Sequence, residues 1–548
     1  MDDITIFMSF SDVRYVGDYL RSIANQSYGK NRLHLFIDVS QLGKDGQALI
    51  DQFLARHRKN YGSMLVHCSS TNDARQDALN YARFNETDYF TADQNVILHS
   101  LTLRRLHGYD LDVVGPLLIA DGVYSNFHAD VTDNGYYKGS DRYFQILNRE
   151  LRGILNVPVV NGCYLIRSDR LKYVTYDDGS GRLEYVIFSD VMRRNLVLQY
   201  IDNTFNYGVM INYENKTTEE IAELDILNNK EFYLDVDKRR KRAVICDADW
   251  LSSYVITEHL YLFKLLRDLY NFHIINCKRL DISNLDIIVD LDSYDVILVA
   301  YHIHARIPLH LVSSYKIYKI DDLENDPYYT ELVRYYIKQA DMVISPYAYV
   351  FPEYYDHDNV QWIPYSCALE GLIDFSTIEF NTNPIMKVLQ SGNVGSSYPF
   401  RQYVATLEHE NIERLAHQGW KHDSTSEAVV RTKYYEKLNE YICCFTDALT
   451  FRYILLKNFE IAAVGSLLLT DKVIEKEMNQ LGFVDYETCI FCNQETFLQK
   501  ISWILDKSNR EQVDQIRRQG MDLVRQRHMT RHRALQIHNL VNDRARVR

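Results

Sequence analysis

Apolar and polar positions alternate along the chain in blocks that predict a repeated strand–helix order. Ile4 to Phe10 is a short apolar run, a polar Ser11-Asp12 turn follows, and Val16, Leu20 and Ile23 then recur at helical spacing. Strands are predicted at Leu33–Ile37 and Met64–His67, and helices at 47–58, 74–84 and 101–106. The βαβαβα alternation implies a largely parallel sheet with crossover helices. The order restarts after the charged stretch 235–242, with strands at 244–246, 272–276, 296–300, 317–320 and 342–345 and a helix at 254–269. It restarts again near Pro384, with strands at 385–390, 442–445, 466–470 and 488–491, a helix at 452–464 and closing helices from Thr496 onward. The chain is therefore expected to be α/β throughout, in three parts: 1–236, 237–380 and 381–548. The last two read as Rossmann-like lobes flanking a ligand cleft at the carboxyl ends of their strands.

One segment breaks the pattern. Between Tyr124 and Pro158, the residues Tyr124-Ser125-Asn126-Phe127, Gly135-Tyr136-Tyr137, Arg149 and Arg152-Gly153 neither alternate nor run apolar. Such a mixture of aromatic, amide, glycine and arginine positions is poor core material and is spaced like a substrate-facing layer of loops.

Composition narrows the classes. At 548 residues the chain exceeds one hydrophobic core, and 46% hydrophobic with 25% charged residues is an ordinary globular balance. A formal charge of -13 opposes nucleic acid or an anionic membrane as a general partner. Nine cysteines lie scattered without a disulfide framework, and Cys489-Ile-Phe-Cys492 lacks a second ligand pair for zinc, so a reducing compartment is expected. Neither a signal peptide nor an apolar run near the roughly 18 residues of a membrane span is present. These features set the expectation of a cytoplasmic protein, in a host cytoplasm if the source is viral. No P-loop, H-E-x-x-H or G-x-S-x-G motif occurs.

The candidate chemistry of the first part centres on Asp88-Tyr-Phe-Thr-Ala-Asp93-Gln-Asn95. Read as D-x-N, Asp93 and Asn95 offer one charged and one neutral oxygen to a divalent cation. The order of Ala74-Arg75-Gln76-Asp77-Ala78-Leu79, Asp88-Tyr89, Asn95-Val96-Ile97-Leu98, Gly115-Pro116-Leu117, Tyr124-Ser125-Asn126-Phe127, Arg152-Gly153, Val157-Pro158 and Tyr164-Leu165-Ile166 resembles the collagen glycosyltransferase family over most of residues 1–215. The resemblance implies an A-type transferase fold and transfer of galactose or glucose from a UDP-sugar with Mn²⁺ onto hydroxylysine or its galactoside. It assigns Asp93 and Asn95 to the metal loop, although an ungapped register sets Ala92 and Gln94 where that family has its two aspartates. Glu184 becomes the candidate base or metal partner, since an acceptor hydroxyl must lose a proton. Asn126 and Tyr124 become candidate sugar or acceptor contacts, with Tyr124 equally open to a packed aromatic role.

In the last part, Asn458-Phe-Glu460-Ile-Ala-Ala-Val-Gly465 resembles the donor-site helix of B-type glycosyltransferases, especially the spore-protein-like group. That resemblance implies that Glu460 accepts both ribose hydroxyls of a nucleotide, and that Gly465 lets a turn approach the ligand. Gly392-Asn393 matches the loop after the lobe's first strand, and Arg401 and Lys457 are the cations expected at a diphosphate lacking a metal. His528-Met-Thr-Arg531-His532-Arg533 resembles the closing helix of the same group, though a solvated basic helix would read alike. His302 and His304, after the strand at 296–300, are candidate bases at the acceptor side. Two nucleotide-sugar transferases in tandem, adding sugars in sequence to a protein or glycan acceptor, is the resulting expectation; the alternative is a degenerate acceptor-binding first part with a catalytic second.

Overall fold

The computed structural model describes residues 2–68, 74–120, 124–234, 241–247, 257–277, 291–300, 306–324, 327–347, 349–368, 378–419 and 428–545. The chain divides into two compact units: residues 1–217 with 228–237, and residues 218–227 with 238–548. The charged stretch 235–240 lies outside the described residues, and Arg242 opens a strand.

In the N-terminal unit an eight-stranded sheet runs Ser63–His67, Leu33–Asp38, Ile4–Ser9, Asp88–Ala92, Cys163–Ile166, Val113–Pro116, Gln199–Asp202 and Ile154–Asn156. The first four strands are parallel, as their crossover helices require. Cys163–Ile166 then runs antiparallel to both neighbours, with Cys163 opposite Ala92. The sequence pattern gave no sign of this reversal, because a short buried strand carries no direction in its composition. Apolar clusters cover both faces: Ile4, Ile6, Leu35 and Ile37 pack on one side, and Phe7, Tyr89, Tyr164 and Phe188 on the other. The helix Val13–Ala24 starts at Asp12, whose carboxylate accepts the Arg14 N–H.

The C-terminal unit holds two all-parallel sheets. One has six strands ordered Phe272–Asn276, Arg242–Cys246, Val296–Ala300, Tyr315–Lys319, Met342–Ser345 and Val360–Trp362. The other has five, ordered Ile412–Ala416, Ile385–Gly392, Tyr441–Thr446, Leu467–Asp471 and Ile490–Cys492. Almost every residue of the central strands is buried, which is why they read as continuous apolar runs. The final helix Thr530–Ala545 returns to pack on Thr257–Tyr270 beside the first sheet. Arg533, 2% exposed, donates to the carbonyls of Pro364 and Tyr365 and to His528 Nδ1, so this segment is a buried tie and not a solvated basic helix.

The helix expected over 452–464 spans only Leu456–Ala463. Leu449 and Arg452 have φ of 55° and 60°, which no right-handed helix accepts, and the preceding residues form a loop instead. The helix Pro327–Gln339 was not anticipated. No helix among the described residues is long and apolar enough to cross a membrane.

Candidate functional site

Each unit has a cleft where its strands end. In the N-terminal unit the cleft, of about 560 Å³, opens beside the sheet's reversal and is lined by Arg75, Asp93, Tyr124, His128, Asn161 and Glu184 among others. Asp93 follows the strand Asp88–Ala92 and is pinned by its N–H donating to Gly162 O at 2.7 Å. It is open to the cleft yet closely walled, and the loss of hydration raises its pKa against the pull of Arg75. Glu184 stands in the first turn of the helix Glu184–Arg194 and accepts from Arg75 Nη1 at 2.8 Å. The Arg75 guanidinium also lies 4.8 Å from the Tyr176 ring centroid. Tyr124, 66% exposed, meets Tyr137 edge-on at 5.4 Å. Burial holds the His128 imidazole down at about 4, hence neutral near pH 7.

The other expected residues of this cleft fall elsewhere. Asn95 does not line it; its backbone carbonyl accepts the Ile211 N–H in a neighbouring sheet. Asn126 is fully buried, donating to Pro116 O and accepting from Leu118 N–H and Ser125 Oγ, so it braces the loop layer and is out of a ligand's reach. The ungapped alternative supplies no donor pair either, since Ala92 is a buried methyl and Gln94 Oε1 accepts from the Ser11 and Asp12 N–H groups. Of the expected ligands, only Asp93 and the Arg75-paired Glu184 face the cleft, and among the described residues no three His, Cys, Asp or Glu side chains group as a metal site. The described residues do not fit the Mn²⁺ centre that the resemblance implies.

In the C-terminal unit a cavity of about 430 Å³ lies between the carboxyl ends of the two sheets. One wall comes from the five-stranded half. Lys457 and Glu460, three residues apart on the helix Leu456–Ala463, share the face toward the cavity. Glu460, 8% exposed, accepts Tyr435 Oη–H at 3.0 Å. Burial raises its pKa, opposed by Lys457 and by the Tyr435 bond. Lys457 donates to Tyr434 Oη at 2.8 Å. Gly392 ends the strand Ile385–Gly392 at φ 101°, and a Cβ there would stand 3.1 Å from both Arg401 Nη1 and Lys457 Cε. Only glycine lets the turn pass between these cations. Asn393 holds the turn through Gly395 N–H at 2.9 Å and accepts Arg401 Nη1 on its carbonyl.

Arg401 is 2% exposed and already paired: Nε lies 2.9 Å from Asp447 Oδ1, and Nη2 donates to Thr446 Oγ1. Its charge thus holds the loop after the strand Tyr441–Thr446 as much as it faces the cavity. Gly465 lies away from the cavity, where a Cβ would meet Met521 Sδ at 3.0 Å and a Phe380 ring carbon at 3.1 Å; its smallness serves helix packing and no ligand.

The opposite wall carries Glu258, His259, Asp321, Asp322, Glu324, Tyr347 and Tyr365 from the six-stranded half, and Tyr453 meets Glu324 there from the five-stranded half. Both His259 nitrogens face carboxylates, Nδ1 at 3.6 Å from Glu258 and Nε2 at 3.4 Å from Asp321. His302 and His304 lie outside the described residues. Sequence reasoning missed this wall and Asp447, although a signal existed: Asp447 and the Asp321-Asp322 pair sit just beyond buried parallel strands, where α/β sheets present ligand-facing groups.

Residues 66–228 match the family model "Glycosyltransferase family 25, N-terminal domain", and residues 395–539 match "Glycosyl transferase-like". The inactive glycosyltransferase 25 family member 3 of Homo sapiens is 39% identical over 95 residues, 17% of this chain and 16% of that protein. A glycosyltransferase 25 family member of Anopheles gambiae is 32% identical over 213 residues, 35% of this chain and 36% of that protein. Among solved structures, sucrose-phosphate synthase from Thermosynechococcus elongatus aligns with a TM-score of 0.42 at 11% identity, covering 56% of this chain and 100% of that one. The chain spans little more than a third of the length of these curated relatives at most. By these matches the chain carries two glycosyltransferase-family domains, one of family 25 type beginning in its N-terminal unit and one glycosyl transferase-like domain in its C-terminal unit.

Proposed function

We propose that the C-terminal unit transfers a hexose from a nucleoside diphosphate sugar, a UDP-sugar first among candidates, to a hydroxyl of a protein or glycan acceptor. The observation that carries this reading is the pairing of Lys457 and Glu460 on one helix face of the cavity, opposite a wall of carboxylates. Glu460 accepts the ribose hydroxyls; Lys457 and Arg431, with Arg401 behind them, stabilise the diphosphate without a metal. In the displacement the acceptor oxygen bonds to the anomeric carbon as the bond to the diphosphate oxygen breaks, and the acceptor proton passes to a carboxylate of the opposite wall. With both its nitrogens set against acids, His259 orients that wall.

For the N-terminal unit the lack of a metal-donor group among the described residues favours the second reading, a cleft that holds saccharide without metal-assisted transfer. Arg75, Asp93 and Glu184 supply polar contacts and Tyr124 an exposed ring. The tandem-transferase reading makes a different forecast. Release of nucleoside diphosphate from UDP-, GDP- and dTDP-sugars is measured on the full chain and on its Glu460→Ala variant, with and without Mn²⁺. Turnover that Glu460→Ala abolishes supports a single catalytic unit. Mn²⁺-dependent turnover persisting in the variant establishes the N-terminal unit as a second transferase. Absence of both turnover and nucleotide binding in the full chain overturns the proposal.

A further inference from the structure

We infer that the acceptor of the C-terminal cavity is a polyhydroxylated or amino sugar without an acidic group. The inference rests on the transferase reading above and names the substrate class of that site. The cavity is electrically divided. On one wall stand Lys457, Arg431 and Arg401 with Glu460; on the other stand Glu258, Asp321, Asp322 and Glu324, with no Lys or Arg lining that wall among the described residues. A diphosphate is drawn to the first wall and repelled by the second, so the second is left to the acceptor.

The second wall is built for hydroxyl groups. Tyr365 Oη–H donates to Asp321 at 2.5 Å, Tyr347 to Asp322 at 3.3 Å, and Tyr453 to Glu324. The Tyr347 and Tyr453 rings stack at 3.7 Å, 10° from parallel, which fixes two of these carboxylates in place. A carboxylate accepts hydrogen bonds and donates none, so hydroxyl and ammonium donors are the groups that suit this wall. Glu258, a lining residue, supplies an independent pointer: it is 4% exposed, Ser366 Oγ–H donates to its Oε1 at 2.6 Å, and its Oε2, with His259 Nδ1 no nearer than 3.6 Å, has no hydrogen-bond partner. A buried carboxylate oxygen left without a donor is costly, and a ligand hydroxyl or ammonium relieves that cost. An acidic sugar would bring a third negative group between the wall and the diphosphate.

Binding to the full chain saturated with UDP tests this, using the methyl glycosides of glucose, of 2-amino-2-deoxyglucose and of glucuronic acid as probes in saturation-transfer NMR titrations. The neutral and amino glycosides are expected to bind at least about tenfold more tightly than the glucuronide, a ratio set by like-charge repulsion at close range. Asp322→Asn with Glu324→Gln is expected to shrink that ratio to within about threefold without lowering UDP affinity, since it removes charges that repel the diphosphate. Equal or tighter binding of the glucuronide, or a ratio unaltered by the double substitution, overturns the inference. So does failure of every glycoside to bind while UDP still does, an outcome that leaves the nucleotide site standing. Loss of UDP binding in the unsubstituted chain would instead refute the transferase reading itself.

Discussion

Replacing Glu460 with Gln separates the cost of a buried charge from its use. The side chain is 8% exposed, its pKa is raised by burial above the ordinary 4.5, and Tyr435 Oη–H donates to it at 3.0 Å. Because the folded-state pKa lies above the unfolded value, ionisation opposes folding. That penalty is absent below the unfolded pKa, grows as pH rises toward the folded pKa, and is complete only above it. Gln keeps the shape and still accepts from Tyr435, so the variant is expected to melt at the same temperature as the parent or higher. Nucleotide affinity should move the other way. A hydrogen bond to a charged acceptor contributes about 1.5–3 kcal/mol, so weakening the ribose contact should lower UDP affinity by roughly 10- to 150-fold. Titration calorimetry with UDP and with 2′-deoxy-UDP, alongside thermal melts, reads all three quantities. The parent should prefer UDP, and the variant should bind the two almost equally. Unchanged UDP affinity would refute the ribose contact, and a large fall in melting temperature would recast Glu460 as structural. In the parent, UDP affinity should also fall as pH drops toward Glu460's raised pKa, earlier than for an ordinary glutamate.

Three further expectations concern the same unit. Gly392→Ala forces a side chain into φ 101° and 3.1 Å from both Arg401 and Lys457; about 1–2 kcal/mol of stability and more than tenfold in UDP affinity should be lost, by denaturation and calorimetry. Arg401→Met leaves Asp447 buried without its cation and should cost about 3–5 kcal/mol in urea unfolding, with Asp447→Asn restoring part of it; no loss would show the ion pair to be inert. His528 is held as the neutral imidazole, facing Leu481 O at 2.7 Å and accepting from Arg533, and burial lowers its pKa from 6.5 to about 3. The unfolded chain therefore takes up the proton first, and stability should fall as pH drops from 6.5 toward 3 by about 1.4 kcal/mol per unit. His528→Gln should flatten that slope in urea titrations between pH 7 and 5.

The parallel strands were legible because burial on both faces leaves a solid apolar run; Phe272–Asn276, Val296–Ala300 and Met342–Ser345 fall where the pattern placed them. Leu449 and Arg452 were illegible because left-handed backbone outside glycine leaves no compositional mark. In the candidate site, the helix bearing Lys457 and Glu460 was visible through its motif, and both residues line the cavity. Asn126 misled because an amide in a polar-aromatic layer looks the same from sequence whether it meets a ligand or ties Pro116 and Leu118 backbone to the Ser125 hydroxyl. Gly465 misled similarly, since helix packing and ligand approach both demand a missing Cβ. The acidic wall was only partly legible: Asp321, Asp322 and Glu324 follow one strand closely in sequence, but Glu258 lies on the helix Thr257–Tyr270, which only the fold brings beside them.

The division of the chain at 218–237 has an architectural consequence. The helix Thr218–Leu227 belongs to the C-terminal unit, where it packs on Thr257–Tyr270, while the next segment returns to the N-terminal unit, where Lys230 pairs with Asp18 at 2.6 Å and Leu234 O accepts from Asn25. The backbone therefore passes between the units three times. No single cut yields two whole pieces: a break at 217 strips the N-terminal unit of Lys230 and Leu234, and a break at 237 strips the C-terminal unit of a helix. Exchanging either half with another protein's, in the laboratory or by gene shuffling, therefore requires rebuilding those twenty residues.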